Sequence, residues 1–252
     1  MSQDVLNVFL YALITAIATG LGAIPFMFIK KITPTVMGIS NAIAAGLMVG
    51  ASIGLVIEGI EFSYPKTIIG LLLGVIFILG VEKLLHKMER SNRDAPSFLV
   101  NKHGFFQNYK NAILIIIVMT AHSAAEGIGL GTSFGGTVKF GIMMTIAIAI
   151  HNIPEGLAIS AGLVAKGVSW WKAALWSIFT SLPQPIFAVP AYIFITYFKQ
   201  YLPIGLGFAA GAMFWLVFAD IVPESQENIK KEKSATIIVM ALIAMLYLQY
   251  IL

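Results

Sequence analysis

The composition of this 252-residue chain is typical of a protein embedded in a membrane. Hydrophobic residues make up 58% of it and charged residues 11%, whereas soluble domains carry roughly 25% charged residues. The sequence has no cysteine, which excludes disulfides and thiolate metal sites. Any metal bound here must therefore be held by nitrogen and oxygen ligands.

Eight apolar stretches are long enough to cross a membrane as helices, which takes about 20 predominantly apolar residues each. They lie at 5–28, 36–59, 66–86, 111–133, 140–164, 172–197, 203–222 and 234–252. The first lacks a basic start and is too long for a signal peptide, so we interpret it as a span. The longest connection is the polar segment 87–110. We therefore predict an all-α membrane protein in which residues 1–252 form one eight-span domain.

The basic residues predict how the spans are oriented. The connections after spans one, three, five and seven, with their flanking turns, hold all but three of the 16 lysines and arginines. The exceptions are Lys66, Lys139 and Lys199. Because basic residues accumulate on the cytoplasmic side, we expect the 87–110 loop inside the cell and both termini outside, in the cell membrane. The net charge of +4 then reflects topology and not nucleic-acid binding.

Spans four and five carry the same polar motif within apolar sequence. Both read His-x-x-x-Glu-Gly, with His122 and Glu126 in the first and His151 and Glu155 in the second. A spacing of four residues places both side chains of a pair on one helical face. Each histidine falls about 16 Å into its span, near the middle of a hydrocarbon core about 30 Å thick. We therefore expect all four side chains to meet at one depth.

Imidazole nitrogen and carboxylate oxygen together suit divalent ions such as Zn²⁺, Fe²⁺, Mn²⁺ and Co²⁺. An acidic side chain at the centre of a span costs about 2.5–3.5 kcal/mol, and a shared cation would offset this cost. The alternative is a pair of buried His–Glu ion pairs that only hold the bundle together. Two copies of the motif at matching depth favour a metal site. Pro154 weakens the helix just before Glu155, which is compatible with a cavity there but is also common in membrane helices.

The paired motifs resemble the signature of the ZIP family (Zrt/Irt-like proteins) of divalent-metal transporters. The segments TGLGAIPF (19–26), AAGLMVGAS (44–52) and GAMFWLVFADIVPES (211–225) resemble its GufA-like prokaryotic branch. The resemblance implies an eight-helix bundle in which spans one to three and six to eight form inverted repeats around spans four and five. It also implies alternating-access transport toward the cytoplasm of divalent transition metals, zinc above all, and also iron, manganese, cobalt or cadmium.

The same resemblance implies particular site residues and partners. The transported metal would be bound by His122, Glu126, His151 and Glu155. A second, adjacent metal would be bound by Ser123, Asn152 and Gln184, with both glutamates bridging. Gln184 stands where the family pattern has a glutamate, so we expect this second site to be weak or transient. We expect no enzymatic activity and no prosthetic group, and metal ions, lipid and a second copy of the chain in a homodimer as partners.

Four further acidic residues lie near the ends of spans two and seven. Glu58 and Glu61, at the outer end of span two, could concentrate cations at an entrance. Asp220 and Glu224, at the inner end of span seven, could receive the departing ion. Acidic residues at helix ends are ordinarily only solvated, so both roles remain open.

An intramembrane zinc hydrolase is the main alternative of another class. The His-Glu-x-x-His order of membrane metalloproteases does not occur in the sequence. A less regular hydrolase could use His122, Ser123, His151 and Asp220, but Asp220 is expected too near the inner surface to share their metal. A metal-gated receptor or scaffold without net transport is a third alternative that the sequence leaves open.

Overall fold

A computed structural model describes residues 2–29, 32–93, 122–165 and 167–252, and in these ranges the chain forms helices and no strands. The α-helices are α1 (Ser2–Leu21), α2 (Pro34–Arg93), α3 (described over 122–136), α4 (Val138–Ala165), α5 (Trp170–Ser181), α6 (Pro183–Tyr197), α7 (Leu202–Leu216), α8 (Val222–Asn228) and α9 (Lys231–Ile251). Short 3₁₀ helices lie at Ile24–Met27 and Lys199–Tyr201, and a π-helix lies at Val217–Ile221.

Six helical segments of the described ranges are long and apolar enough to cross a membrane. They are Gln3–Leu21, Pro34–Lys83, Val138–Ala165, Trp170–Tyr197, Lys199–Asn228 and Lys231–Ile251. The second of them contains two of the predicted spans, and the described part of predicted span four is helical in α3. The prediction of an all-α membrane protein is therefore confirmed, whereas the count of eight spans and the inverted repeats stay predictions.

Two helix boundaries differ from those predicted. The first predicted span ends as an α-helix at Leu21, because the chain then turns into the 3₁₀ helix that contains Pro25. The predicted loop 87–110 begins as helix, since α2 continues to Arg93. The sequence KMERSNR at 87–93 is rich in good helix formers, which explains this extension. The rest of that loop lies outside the described residues.

Proline residues interrupt two of the long helical segments. α2 is broken at Ser63, where φ is −169° and ψ is 107°, two residues before Pro65. Leu182 separates α5 from α6 at the point where Pro183 follows it, although 172–197 was predicted as one span. Proline has no N–H for the helical hydrogen bond, and its ring clashes with the carbonyl of the residue four positions earlier. The second break places Gln184 in the first turn of α6.

The helices pack as two groups. α1 packs against α4, α5 and α6, whereas α2 packs most extensively against α7 and α9, and it packs against α4 more than against α8. Glycines allow the closest approaches: a Cβ at Gly156 of α4 would overlap the Thr19 carbonyl of α1. A Cβ at Gly127 of α3 would likewise overlap the Gln184 carbonyl of α6. These two glycines are the last residues of the two His-x-x-x-Glu-Gly motifs, so the motif itself brings α1, α3, α4 and α6 together.

Candidate metal site

The two polar motifs face each other inside the helical bundle. His122 and Glu126 lie on α3, and His151 and Glu155 lie on α4. Only 5% of His122, 1% of Glu126 and none of His151 is exposed, and the Glu155 side chain is 10% exposed. His151 Nε2 lies 2.6 Å from Glu126 Oε1, so the contact joins one motif to the other. The expectation that the four side chains lie close together agrees with this geometry.

Three of the four residues have potential metal-ligand atoms that lie close to one another. One ligand atom from each of His122, Glu126 and Glu155 can be chosen so that all lie within 4.8 Å of one another. His122 Nε2 is 3.3 Å from Glu126 Oε1 and 3.7 Å from Glu155 Oε2. An ion with tetrahedral bonds of 2.0–2.2 Å separates its ligand atoms by about 3.4 Å. The spacing of this set therefore fits a bound divalent ion.

Several atoms of this set have no hydrogen-bond partner within the described part of the chain. They include His122 Nε2 and both carboxylate oxygens of Glu155, all of which are buried. Burying such groups unpaired costs a few kcal/mol each, and most buried polar atoms in proteins are paired. A cation between the His122 ring and the Glu155 carboxylate would remove this cost. The donor set thus fits a divalent ion by both its chemistry and its spacing.

His151 contacts the set through Glu126. Its Nε2 atom is hydrogen-bonded to Glu126 Oε1, and its Nδ1 atom is buried without a partner among the described residues. The same Glu126 oxygen also lies 3.3 Å from His122 Nε2. In this arrangement His151 orients Glu126, and a role as direct ligand requires the His151–Glu126 hydrogen bond to be exchanged for a bond to metal.

Two of the three residues of the predicted second site form a hydrogen-bonded chain on the other side of Glu126. Ser123, Asn152 and Gln184 are each fully buried. Gln184 Nε2 donates to Glu126 Oε2 at 2.5 Å, and Asn152 Nδ2 donates to Gln184 Oε1 at 3.2 Å. Ser123 Oγ and Asn152 Oδ1 are buried without a partner in the described ranges. The structure thus joins Asn152 and Gln184 to Glu126 through the Gln184 amide, and it shows no hydrogen bond between Ser123 and these residues within the described ranges.

Thr15 of α1 also belongs to this cluster, and the sequence analysis missed it. Its hydroxyl lies 2.5 Å from Gln184 Oε1, and its backbone carbonyl accepts a hydrogen bond of 2.9 Å from Asn152 Nδ2. A signal was present in the sequence, since Thr15 and Thr19 are polar residues four positions apart in an otherwise apolar span. That spacing indicates a polar face on α1 turned toward the bundle interior.

The predicted entrance and exit residues lie apart from this cluster. Glu58 lines an open cavity of about 500 Å³ together with Lys139 and Gln249, and Glu61 lies one turn further along α2 and is exposed. Asp220 lies in the π-helix, outside the set of ligand atoms but within electrostatic range of His122.

Fold and site together define an all-helical membrane protein with a buried histidine–glutamate cluster between two helices. Residues 85–189 match the family model described as ZIP Zinc transporter. The chain is 31% identical over 240 residues to the zinc transporter ZIPB of Bordetella bronchiseptica, covering 89% of this chain and 74% of that protein. It is 27% identical over 230 residues to the zinc transporter GufA of Myxococcus xanthus, covering 86% and 87%. The chain belongs to the ZIP zinc transporter family.

A plant relative has a higher sequence identity to the chain, but the alignment covers a much smaller share of that relative. The chain is 44% identical over 226 residues to a predicted zinc transporter of Arabidopsis thaliana, which is 88% of this chain but only 35% of the plant protein. The predicted resemblance to the ZIP family and to its GufA-like branch is confirmed by these relatives. Because the family consists of transporters and not enzymes, the hydrolase alternative is not favoured.

Proposed function

We propose that this protein transports divalent transition-metal ions, zinc above all, across the membrane toward the cytoplasm. The observation that carries the proposal is the geometry of His122, Glu126 and Glu155. Their buried ligand atoms stand at metal-ligand spacing, and those of His122 and Glu155 lack hydrogen-bond partners among the described residues. Relatives named as zinc transporters favour zinc over iron, manganese, cobalt or cadmium as the cargo. In this proposal the metal is the substrate, and no prosthetic group takes part.

His151 completes the proposed transport site. Its Nε2 atom already lies against Glu126 Oε1, the same oxygen that lies 3.3 Å from His122 Nε2. We expect the imidazole to exchange its contact with Glu126 for a bond to the arriving ion, which would supply the fourth ligand of a tetrahedral shell. Because the ligands must be deprotonated, metal binding would release any proton that the cluster holds.

The packing of the helices supports alternating access by movement of one group against the other. Side-chain hydrogen bonds join α1, α3, α4, α5 and α6: Thr19 Oγ1 lies 2.9 Å from Ser181 Oγ, and Ser160 Oγ lies 3.0 Å from Ser177 Oγ. α2 is joined instead to α8 and α9, where Ser225 donates to the Gly38 carbonyl and Gln249 to the Gly50 carbonyl. We expect the first group to carry the bound metal past the second.

The proposed bundle contains eight spans related by inverted repeats. The break at Ser63 divides α2 into two helices, and α3 continues a predicted span that starts before residue 122. With the remaining spans, these pieces add up to eight. The basic residues place both termini outside the cell membrane, and a homodimer remains part of the proposal.

Acidic residues on either side of the cluster suit the entrance and the exit. Glu58 lines an open cavity together with Lys139, and the exposed Glu61 follows one turn later, just before the break of α2 at Ser63. Asp220 is within electrostatic range of both His122 and Glu224. These carboxylates would attract the cation on one side of the membrane and accept it on the other.

Metal uptake into vesicles that contain the purified protein tests the proposal. We expect zinc flux with the wild type, loss of most flux with His122→Ala and Glu155→Ala, and normal flux with Glu232→Ala, an exposed carboxylate on α9. Equal flux in all four proteins would refute the site. Zinc binding without flux in the wild type would instead favour a metal-gated receptor or scaffold.

A further inference from the structure

The amide of Gln184 lies between the Glu126 carboxylate and helix α1. Gln184 is fully buried and stands in the first turn of α6, directly after the break at Leu182. Its Nε2 atom donates to Glu126 Oε2 at 2.5 Å. Its Oε1 atom lies 2.5 Å from the Thr15 hydroxyl and 3.2 Å from Asn152 Nδ2. Both ends of this amide are therefore engaged by the protein.

The orientation of the Gln184 amide follows from a backbone carbonyl two hydrogen bonds away. The carbonyl of Thr15 can only accept, so the Asn152 atom that lies 2.9 Å from it must be the NH₂ nitrogen. The same nitrogen lies near Gln184 and donates its other proton there, so the facing Gln184 atom must be oxygen. The NH₂ group of Gln184 is then directed at Glu126, and a flipped amide would place oxygen against a carboxylate.

This network gives each oxygen of Glu126 a different environment. Oε1 lies between His122 and His151, on the side of the proposed transport site. Oε2 accepts a hydrogen bond from Gln184, whose amide oxygen is turned toward Thr15 and Asn152. An NH₂ group placed there partly neutralises the carboxylate, as a cation would, and it fixes the rotation of the Glu126 side chain.

We propose that Gln184 is a positioning residue that takes the place of a second cation. Held by Thr15 and Asn152, it fixes Glu126 for a single transported ion, so that the chain binds one metal at this cluster. This inference rests on the proposed function of the cluster of His122, Glu126 and Glu155. It also specifies the chemistry of substrate binding: one divalent ion, with a neutral amide and not a metal on the far side of Glu126.

The number of metal ions bound per chain tests this inference. Purified full-length protein is equilibrated with Zn²⁺, and bound zinc is measured by mass spectrometry against protein concentration, for the wild type and Gln184→Glu. A carboxylate at this position would face Glu126 directly and would supply the negatively charged ligand that the neutral amide lacks. We expect about one zinc ion per chain in the wild type and about two in Gln184→Glu. The added carboxylate would supply the negative charge that a second Zn²⁺ needs among its ligands.

The possible results separate this inference from the proposed function. Two zinc ions in the wild type, or one in Gln184→Glu, would overturn the inference while leaving the transport site intact. No zinc in the wild type would overturn the proposed function and the inference with it. If Gln184→Glu does not fold, Gln184→Met supplies the test, since methionine has a similar length and cannot donate a hydrogen bond. It should keep one zinc ion but bind it about 10–100-fold more weakly.

A matched pair of variants at Thr15 shows whether the effect passes through the network. Thr15→Val removes the hydroxyl that contacts Gln184 Oε1, and Thr15→Ser keeps it. We expect the valine variant to raise the Kd for zinc about 10-fold and the serine variant to leave it within about 2-fold of the wild type, both with one ion bound. Unchanged Kd values in both Thr15→Val and Gln184→Met would overturn the positioning role.

Discussion

The glycine of the second motif provides a sharp test of how the site is assembled. Gly156 follows Glu155 on α4, and a Cβ there would overlap the backbone carbonyl of Thr19 on α1. Gly156→Ala must therefore push the two helices apart, since a backbone carbonyl cannot rotate away as a flexible side chain can. The displacement would also pull Thr15 away from Asn152 and shift Glu155, because these residues lie within one turn of the contact.

Gly162→Ala, on the same helix, is the matched control for the loss of stability expected in Gly156→Ala. Overpacking a tight contact costs about 1–3 kcal/mol, and contact with backbone favours the upper part of that range. Replacing a helical glycine by alanine stabilises the helix by about 1 kcal/mol, because alanine has the higher helix propensity. Gly162→Ala on α4 receives only this gain, because a Cβ at Gly162 has nothing within 4 Å. The two variants should therefore differ in stability by about 3 kcal/mol.

Thermal unfolding in detergent, followed by circular dichroism, measures this difference. For a chain of this size 1 kcal/mol corresponds to roughly 2–4 °C in Tm, so Gly156→Ala should melt roughly 6–12 °C below Gly162→Ala. Zinc flux should be lost in the first variant and retained in the second. Equal melting temperatures with equal flux would refute the claim that the motif glycine sets the approach of α4 to α1.

The remaining predictions concern protons and metal release. Because histidine ligands must be neutral to bind metal, protons compete with zinc for them, and zinc affinity and uptake should fall as the pH is lowered. Isothermal titration at several pH values measures this, and a flat affinity would contradict histidine ligation. Asp220→Asn should lower the maximal zinc flux several-fold while leaving the Kd for zinc within about 2-fold, since Asp220 lies outside the ligand set but within electrostatic range of His122. Flux kinetics beside equilibrium binding measure this, and a large loss of affinity with unchanged maximal flux would contradict an exit role.

Much of the fold could be predicted because a membrane simplifies the pattern. Long apolar runs mark the helices, and every candidate span in the described ranges overlaps one predicted span or, in the case of Pro34–Lys83, two. The interruptions were harder to place, although Pro65 and Pro183 signal them, because proline also occurs inside continuous helices such as α4, which contains Pro154. Whether a proline breaks or only weakens a helix depends on what neighbouring helices offer its freed carbonyl.

The membership of the site could be predicted better than its internal contacts. A spacing of four residues places His122 beside Glu126 on any helix, and equal depth brings the second motif to the same level. The sequence could not predict that His151 binds Glu126 or that Thr15 holds Gln184, because those contacts depend on how α1, α4 and α6 are rotated and packed. That rotation is set by close contacts such as Gly156 against Thr19, which involve residues more than a hundred positions apart.

Locating the ion in crystals tests the central claim most directly. Anomalous diffraction above the zinc absorption edge, from crystals grown with zinc, should give a peak between His122 Nε2, Glu126 Oε1 and Glu155 Oε2, about 2.0–2.2 Å from each. The peak should be absent from crystals of His122→Ala. Zinc bound only at surface carboxylates, with no peak between α3 and α4, would contradict the proposed transport site.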